Sequence, residues 1–270
     1  MVYNVTMDTN KNEIRETAEM WKYLTGFEKY KKPLPIYISN PFTQDQLQRL
    51  RDEINSCMKY LDSEVYTKVP GDQEEYTCPT NRFAPKRVVH MSRLLTEFEC
   101  PQDIIDVMDS YVKEVYHEEI KLCHYTYIEY NLKHGNGKNV PSLSPHIDGD
   151  ENLVTFNIQI GGNIDWDLIV ESTPYNYETI SLKTNDAALF SAVNQVHWRP
   201  PRKWKDGEYV EIISFDYCPL DNYKFVNKIN PIDARINFKK RQEYIESLGN
   251  NKRLQNAWTI YNKDLKELNN

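Results

Sequence analysis

Two hydrophobic periods divide the chain. Up to residue 117 apolar positions recur every three to four residues, and from residue 122 they alternate every two. In the first part Ile14, Ala18, Trp21 and Leu24 share one face and predict a polar helix over 12–31, broken at Lys31-Lys32-Pro33. Leu34-Pro35-Ile36-Tyr37-Ile38 reads as a short strand. Asn40-Pro41-Phe42-Thr43 then leads into a helix carrying Leu47, Leu50, Ile54 and Met58, with Thr43 as its N-cap. A further helix runs from Gln102 to His117, with Ile104, Ile105, Val107, Met108, Tyr111, Val112 and Val115 as its apolar stripe. Residues 66–101, with Pro70, Gly71, Pro79 and Pro85, read as irregular.

The alternating part predicts strands at His124–Leu132, Asn152–Ile160, Trp166–Ser172, Glu178–Lys183, Ala187–Val193, Gln195–Arg199 and Tyr209–Cys218. Turn signals separate them: His134-Gly135-Asn136-Gly137, Gly161-Gly162-Asn163, Thr184-Asn185-Asp186 and Asp206-Gly207. No helix between these strands is long enough for parallel crossovers, so the expected fold is mainly β, an antiparallel barrel or jelly roll with flanking helices. An immunoglobulin-like sandwich would leave the helical first third unexplained. After Pro231 the helical period returns around Tyr244, Ile245, Leu248, Leu254, Trp258, Tyr261 and Leu265. The expected organisation is one domain: a helical extension (1–34), a core (35–218) and a C-terminal helical segment (219–270).

Composition narrows the partners. The 270 residues carry 33 Lys and Arg against 40 Asp and Glu, a net charge of -7, which argues against general nucleic-acid binding. Mean hydropathy is -0.72. Yet 12% of residues are aromatic, including 19 Tyr, which a chain that stays unfolded would lack. No apolar run approaches the ~20 residues of a membrane span. The first ten residues are polar and predict no secretory signal. The five cysteines, Cys57, Cys78, Cys100, Cys123 and Cys218, are scattered and odd in number. They read as free thiols in a reducing compartment, the cytoplasm.

The chemistry-bearing segment is Pro145-His146-Ile147-Asp148-Gly149, followed at a distance by His197-Trp198-Arg199-Pro200. In extended chain His146 and Asp148 project to one side, and His197 on a later strand can close a third position. Two imidazoles and one carboxylate on one face of a metal leave the opposite face open for oxygen chemistry. The bare His-x-Asp pattern is weak: six histidines in a chain with 40 acids give about 0.9 such pairs by chance. The plainer reading is a surface histidine in a turn. Position decides between them: the pair enters the β series and His197 lies near its end.

With strand Tyr125–Leu132, the Ser144–Gly149 motif, Ala188-Leu189-Phe190, Val196–Arg199 and strand Glu208–Tyr217 in this order, the chain resembles the iron(II)/2-oxoglutarate-dependent oxygenases. The likeness spans roughly residues 35–218. It implies a double-stranded β-helix and a metal site of His146, Asp148 and His197. It also implies iron(II), O2 and 2-oxoglutarate as cofactor and cosubstrates. The implied reaction is hydroxylation of a C–H bond on a small molecule, amino acid or peptide side chain, with release of succinate and carbon dioxide. One departure is serious. The family's 2-oxoglutarate anchor is an Arg or Lys about ten residues after the second histidine, and here that stretch is Asp206-Gly207-Glu208-Tyr209-Val210-Glu211. Arg199 is the best substitute, two residues and about 7 Å beyond His197 on the same side. Arg202 and the cations between Arg82 and Arg93 are the alternatives. Tyr130, on one face with Ile128 and Leu132, reads either as a cosubstrate contact or as a core tyrosine. Asn157 and Gln159 suit a pocket wall or a solvated sheet face. Two rival functions stay open: a non-enzymatic jelly-roll binding protein, and a metal oxidase that does not use 2-oxoglutarate. A homodimer contact through the C-terminal helix stays open as well.

Overall fold

The computed structural model describes residues 30–63, 92–95, 98–116, 119–134, 141–148, 153–219 and 250–269. The body of the helix expected over 12–31, Cys78, the cations Arg82, Lys86 and Arg87, the glycines of the His134–Gly137 turn and the Tyr244–Leu248 segment lie outside the described residues. At Tyr30 the chain is extended rather than helical, bridging to Tyr116.

Strand β1 (Ile36–Ser39) is followed by α1 (Gln44–Ser63). Thr43 caps α1 as expected: its Oγ1 accepts the Gln46 N–H at 3.2 Å, and Gln46 Oε1 accepts the Thr43 N–H at 3.0 Å. Then come β2 (Ser92–Leu95), α2 (Gln102–Val115), β3 (Ile120–Asn131), β4 (Leu143–His146), β5 (Val154–Gly162), β6 (Leu168–Thr173), β7 (Asn176–Ile180), β8 (Asp186–Phe190), β9 (His197–Arg199), β10 (Tyr209–Pro219) and α3 (Asn250–Asn269). No helix among the described residues is long and apolar enough to cross a membrane.

The strands form two antiparallel sheets, a major one in the order β1-β8-β5-β10-β3-β2 and a minor one in the order β4-β9-β6-β7. Apart from the β6–β7 hairpin, successive strands from β3 to β10 alternate between the two sheets, which is the winding of a double-stranded β-helix, as the sequence implied. Strand alternation gives each sheet two unlike faces. Val154, Phe156, Ile158 and Ile160 of β5, with Ile213, Phe215 and Tyr217 of β10, turn outward. They pack with Leu47, Leu50 and Ile54 of α1 and Ile104, Met108, Val112 and Val115 of α2. The intervening Thr155, Asn157 and Gln159 face the barrel interior, on the face they share through cross-strand pairing with Ala188 and Phe190. Those two pack against Leu168 and Val170 of the minor sheet. On the far side of the minor sheet, Ile169 and Trp198 meet Leu254, Ala257, Ile260 and Tyr261 of α3. The described parts are therefore layered as two helices, major sheet, barrel interior, minor sheet and one helix.

Several strand limits differ from the sequence expectation, and one kind of cause recurs. The strand expected at Ala187–Val193 stops at Phe190, and the one expected at Gln195–Arg199 starts at His197. Between them the chain turns, because Gln195 Oε1 takes the Ser191 N–H at 2.7 Å and Asn194 Nδ2 donates to Ser191 Oγ at 2.9 Å. Strand β7 begins two residues before the expected Glu178, because Pro174 and Tyr175 (φ 66°) close a hairpin with β6. Strand β2 falls in the stretch read as irregular, and β4 was not expected as a separate strand.

Candidate active site

The site is built where β4 and β9 pair. His146 lies opposite His197 in the ladder, so their rings meet with centroids 4.1 Å apart. Past the end of β4 the chain stays extended, and Asp148 is held by its N–H donating to the Ala192 carbonyl at 2.9 Å. Its Oδ1 lies 3.3 Å from His146 Nε2 and 3.8 Å from His197 Nε2. One ligand atom from each of the three falls within 4.8 Å of the others, the set that can hold a single metal ion.

Both rings are oriented from behind. His146 Nδ1 lies 2.7 Å from the Ser144 carbonyl and His197 Nδ1 lies 3.1 Å from the Gln195 carbonyl. A carbonyl only accepts, so each Nδ1 carries a proton and each Nε2 is turned toward Asp148, as a donor to the carboxylate when the ring is protonated and as a lone pair when it is neutral. Burial would lower the His146 imidazole, but the hydrogen bond and charge of Asp148 outweigh it, and the group lies above its ordinary value. Burial and the neighbouring His146 push His197 down to about 4. Protons therefore compete with metal mainly at His146. Metal affinity should fall with falling pH, starting above histidine's ordinary ~6.5, as a cobalt(II) titration at successive pH values would show.

Deeper in the barrel lies Arg199, with none of its surface exposed. Its Nη1 donates to the Trp166 carbonyl, and its guanidinium stands 5.3 Å from the Trp166 ring centroid. Among the described residues its Nε and Nη2 have no hydrogen-bond partner. Burial lowers the guanidinium to about 10, with Tyr130 opposing that fall. Tyr130 is itself buried and pushed up to about 12 by that burial, less a contribution from Arg199. With Trp166, Trp204, Val210 and Ile212 it forms a buried apolar cluster.

Arg202 is occupied elsewhere. It bonds Glu208 at 3.0 Å and the Asp165 carbonyl at 3.0 Å, and lies over the Trp204 ring. The acids expected to repel a carboxylate near the start of β10 are turned away. Glu208 pairs with Arg202, and Glu211 Oε1 accepts the Tyr127 hydroxyl at 2.7 Å on the outer face. Asn157 and Gln159 are buried in the barrel wall, each with a side-chain oxygen lacking a partner. They form a pocket wall and not a solvated face. At the level of the triad, Thr155 pairs with Phe190 on one side and Asp216 on the other. The Phe190 ring lies 4.9 Å from His197. Asp216 Oδ1 accepts both Thr155 Oγ1 at 2.9 Å and Ser214 Oγ at 3.2 Å, making the mouth of the barrel polar. Sequence reasoning missed Trp166, Gln195, Glu171 and Arg253, which hold the site residues from further out.

Fold and site together define a double-stranded β-helix protein in which two histidines and one aspartate converge in a set that could hold a metal ion. Several solved structures align with the chain at low sequence identity. HygX from Streptomyces hygroscopicus, with nickel, 2-oxoglutarate and hygromycin B bound, is 12% identical over 76% of this chain and 87% of its own, with a TM-score of 0.46. A prolyl hydroxylase from Trichoplax adhaerens, in complex with a hypoxia inducible factor oxygen degradation domain peptide fragment, is 12% identical over 82% of this chain and 99% of its own, with a TM-score of 0.49. A Pseudomonas putida prolyl-4-hydroxylase is 11% identical over 74% and 99%, with a TM-score of 0.45. No protein-family model matches the sequence, and no curated protein matches it significantly. The likenesses are distant, and the chemistry of the site is carried by its own geometry.

Proposed function

We propose that the protein is an iron(II)/2-oxoglutarate-dependent oxygenase that hydroxylates a C–H bond of a small molecule, an amino acid or a peptide side chain. One observation carries the reading: three residues that could hold a metal ion share a barrel with a fully buried guanidinium whose Nε and Nη2 have no hydrogen-bond partner among the described residues. A buried cation without an anion is costly. A dicarboxylate reaching from the metal into the barrel supplies the missing partner in the bidentate form that a guanidinium prefers.

In this reading His146, Asp148 and His197 hold the iron, and Arg199 takes the distal carboxylate of 2-oxoglutarate. Tyr130 lines the same pocket. The bound iron would supply oxygen activation coupled to oxidative decarboxylation of 2-oxoglutarate to succinate and carbon dioxide. The chain supplies the rest. Its backbone carbonyls fix the two imidazoles, the apolar cluster of Val210, Ile212 and Trp166 excludes water, and Asp148 would supply the carboxylate ligand beside the two imidazoles. The polar mouth of Thr155, Ser214 and Asp216 suits a substrate with hydrogen-bonding groups. Cys57, Cys100 and Cys123 form no disulfide among the described residues, which fits a reducing compartment such as the cytoplasm.

The test is anaerobic. Iron(II) with 2-oxoglutarate is expected to give a weak visible charge-transfer band that neither gives alone. Bound iron without the band would favour a metal oxidase that does not use 2-oxoglutarate. Absence of bound iron would favour a jelly-roll binding protein.

A further inference from the structure

The two histidines of the site are braced differently. His146 leans on Ser144, within its own strand. His197 leans on the Gln195 carbonyl, at the end of a turn between β8 and β9. That turn has little regular structure, so something else must hold it. Gln195 is pinned by its side chain, whose Nε2 donates to the Leu34 carbonyl at 3.1 Å and the Glu171 carbonyl at 2.6 Å. The next residue is clamped twice by Glu171. Val196 N donates to Glu171 Oε2 at 3.2 Å, and Glu171 N donates to the Val196 carbonyl at 2.9 Å.

Glu171 is a fully buried carboxylate on the α3-facing side of β6. Its counter-ion comes from 82 residues further on. Arg253 in the first turns of α3 donates its Nε to both Glu171 oxygens at 3.0 Å, and its Nη2 to Oε2 as well. The same Nη2 reaches the Asn194 carbonyl at 2.5 Å. A single guanidinium thus ties the C-terminal helix to both the carboxylate and the turn that deliver His197.

We propose that Glu171 and Arg253 are positioning residues for His197: their buried ion pair holds the 191–196 turn in the arrangement that aims His197 Nε2 at the metal. The proposal rests on the reading of His146, Asp148 and His197 as metal ligands. A buried ion pair adds little to stability compared with apolar residues of the same shape. Its fork-shaped hydrogen bonding does fix geometry, and partners behind a ligating histidine govern how well it binds metal. The effect should spare His146, because no described bond of this network touches the Ser144 carbonyl that orients it, while Asp148 shares the effect through its N–H bond to the Ala192 carbonyl of the same turn.

The test uses the full chain loaded with cobalt(II), whose visible spectrum reports ligand geometry without turnover. Arg253→Ala is expected to weaken cobalt(II) binding about 10–100-fold per folded molecule and to change the spectrum. Glu171→Gln keeps the side-chain shape and should move both readouts in the same direction, so the inference is decided even where Arg253→Ala folds poorly. Arg253→Lys keeps the charge and loses the fork, and should recover only part of the affinity. Leu50→Ala, in the core between α1 and the major sheet, is the control. It should lower the melting temperature while leaving affinity and spectrum unchanged. The inference is overturned if Arg253→Ala and Glu171→Gln bind cobalt(II) with wild-type affinity and spectrum, or if Leu50→Ala loses as much affinity as they do. Failure of the wild-type chain to bind cobalt(II) is a separate result, which overturns the metal-site reading itself.

Discussion

Replacing His197 with alanine abolishes iron(II) binding and, with it, succinate formation from 2-oxoglutarate. With His197 gone, only His146 and Asp148 remain, and two ligands do not hold a divalent metal with useful affinity at an otherwise open site. Even partners behind a ligand are worth about 10–100-fold in affinity, so loss of a ligand itself should exceed roughly a hundredfold. The fold should survive. In the metal-free chain His197 is a buried imidazole held neutral by its surroundings. The variant loses one hydrogen bond, to the Gln195 carbonyl, and some packing against Phe190. Metal content, far-ultraviolet circular dichroism and melting temperature measured together separate the two effects. Full metal content and turnover in the alanine variant would show that the metal sits elsewhere.

Arg199→Met should cost the protein its response to 2-oxoglutarate while making the ligand-free chain no less stable, and by the following argument more so. The guanidinium is fully buried and its lowered pKa records the strain of that burial. Methionine of similar length fills the space without a charge to desolvate, a replacement known to stabilise other proteins that bury charges. The bound state reverses the balance, since removing one partner of a buried charge pair costs ~3–5 kcal/mol, or a hundredfold and more in affinity. The expected result is a raised melting temperature without ligand and the loss of any thermal shift with 2-oxoglutarate. Arg202→Ala should leave the 2-oxoglutarate response near wild type, because Arg202 already has Glu208. An Arg199→Met variant that still responds normally would move the anchor to another cation.

The alternating pattern from residue 122 onward was enough to read the major strands, because burial on one face and a pocket on the other write a period of two into the chain. It was not enough for β4. Pro145 interrupts that strand, and its pairing with β9 is confined to Leu143 opposite Arg199 and His146 opposite His197. Such an edge strand carries no repeat long enough to notice. The end of β8 was overread for the opposite reason: Ser191-Ala192-Val193 continues the run, and the turn is closed by bonds that Asn194 and Gln195 make back to Ser191 through both side chain and backbone. The triad was legible because its members sit two residues apart and at the start of a strand. The same spacing set Arg199 two residues beyond His197 on one strand, and its part as anchor belongs to the proposed function. Glu171 and Arg253 were not, since a carboxylate on one strand and an arginine on a distant helix look like any surface charges until the fold brings them together out of water.

Strand β5 carries a constraint that reaches beyond this site. Its even-numbered residues, Val154 to Ile160, build the core under the helices, while Thr155, Asn157 and Gln159 between them line the barrel. Stability and chemistry are thus interleaved residue by residue along one strand. A slip of a single residue in its pairing would send every core side chain into the pocket and every pocket side chain into the core. Errors of register here are therefore doubly penalised, and the same alternation that makes the site possible is what keeps the strand in place.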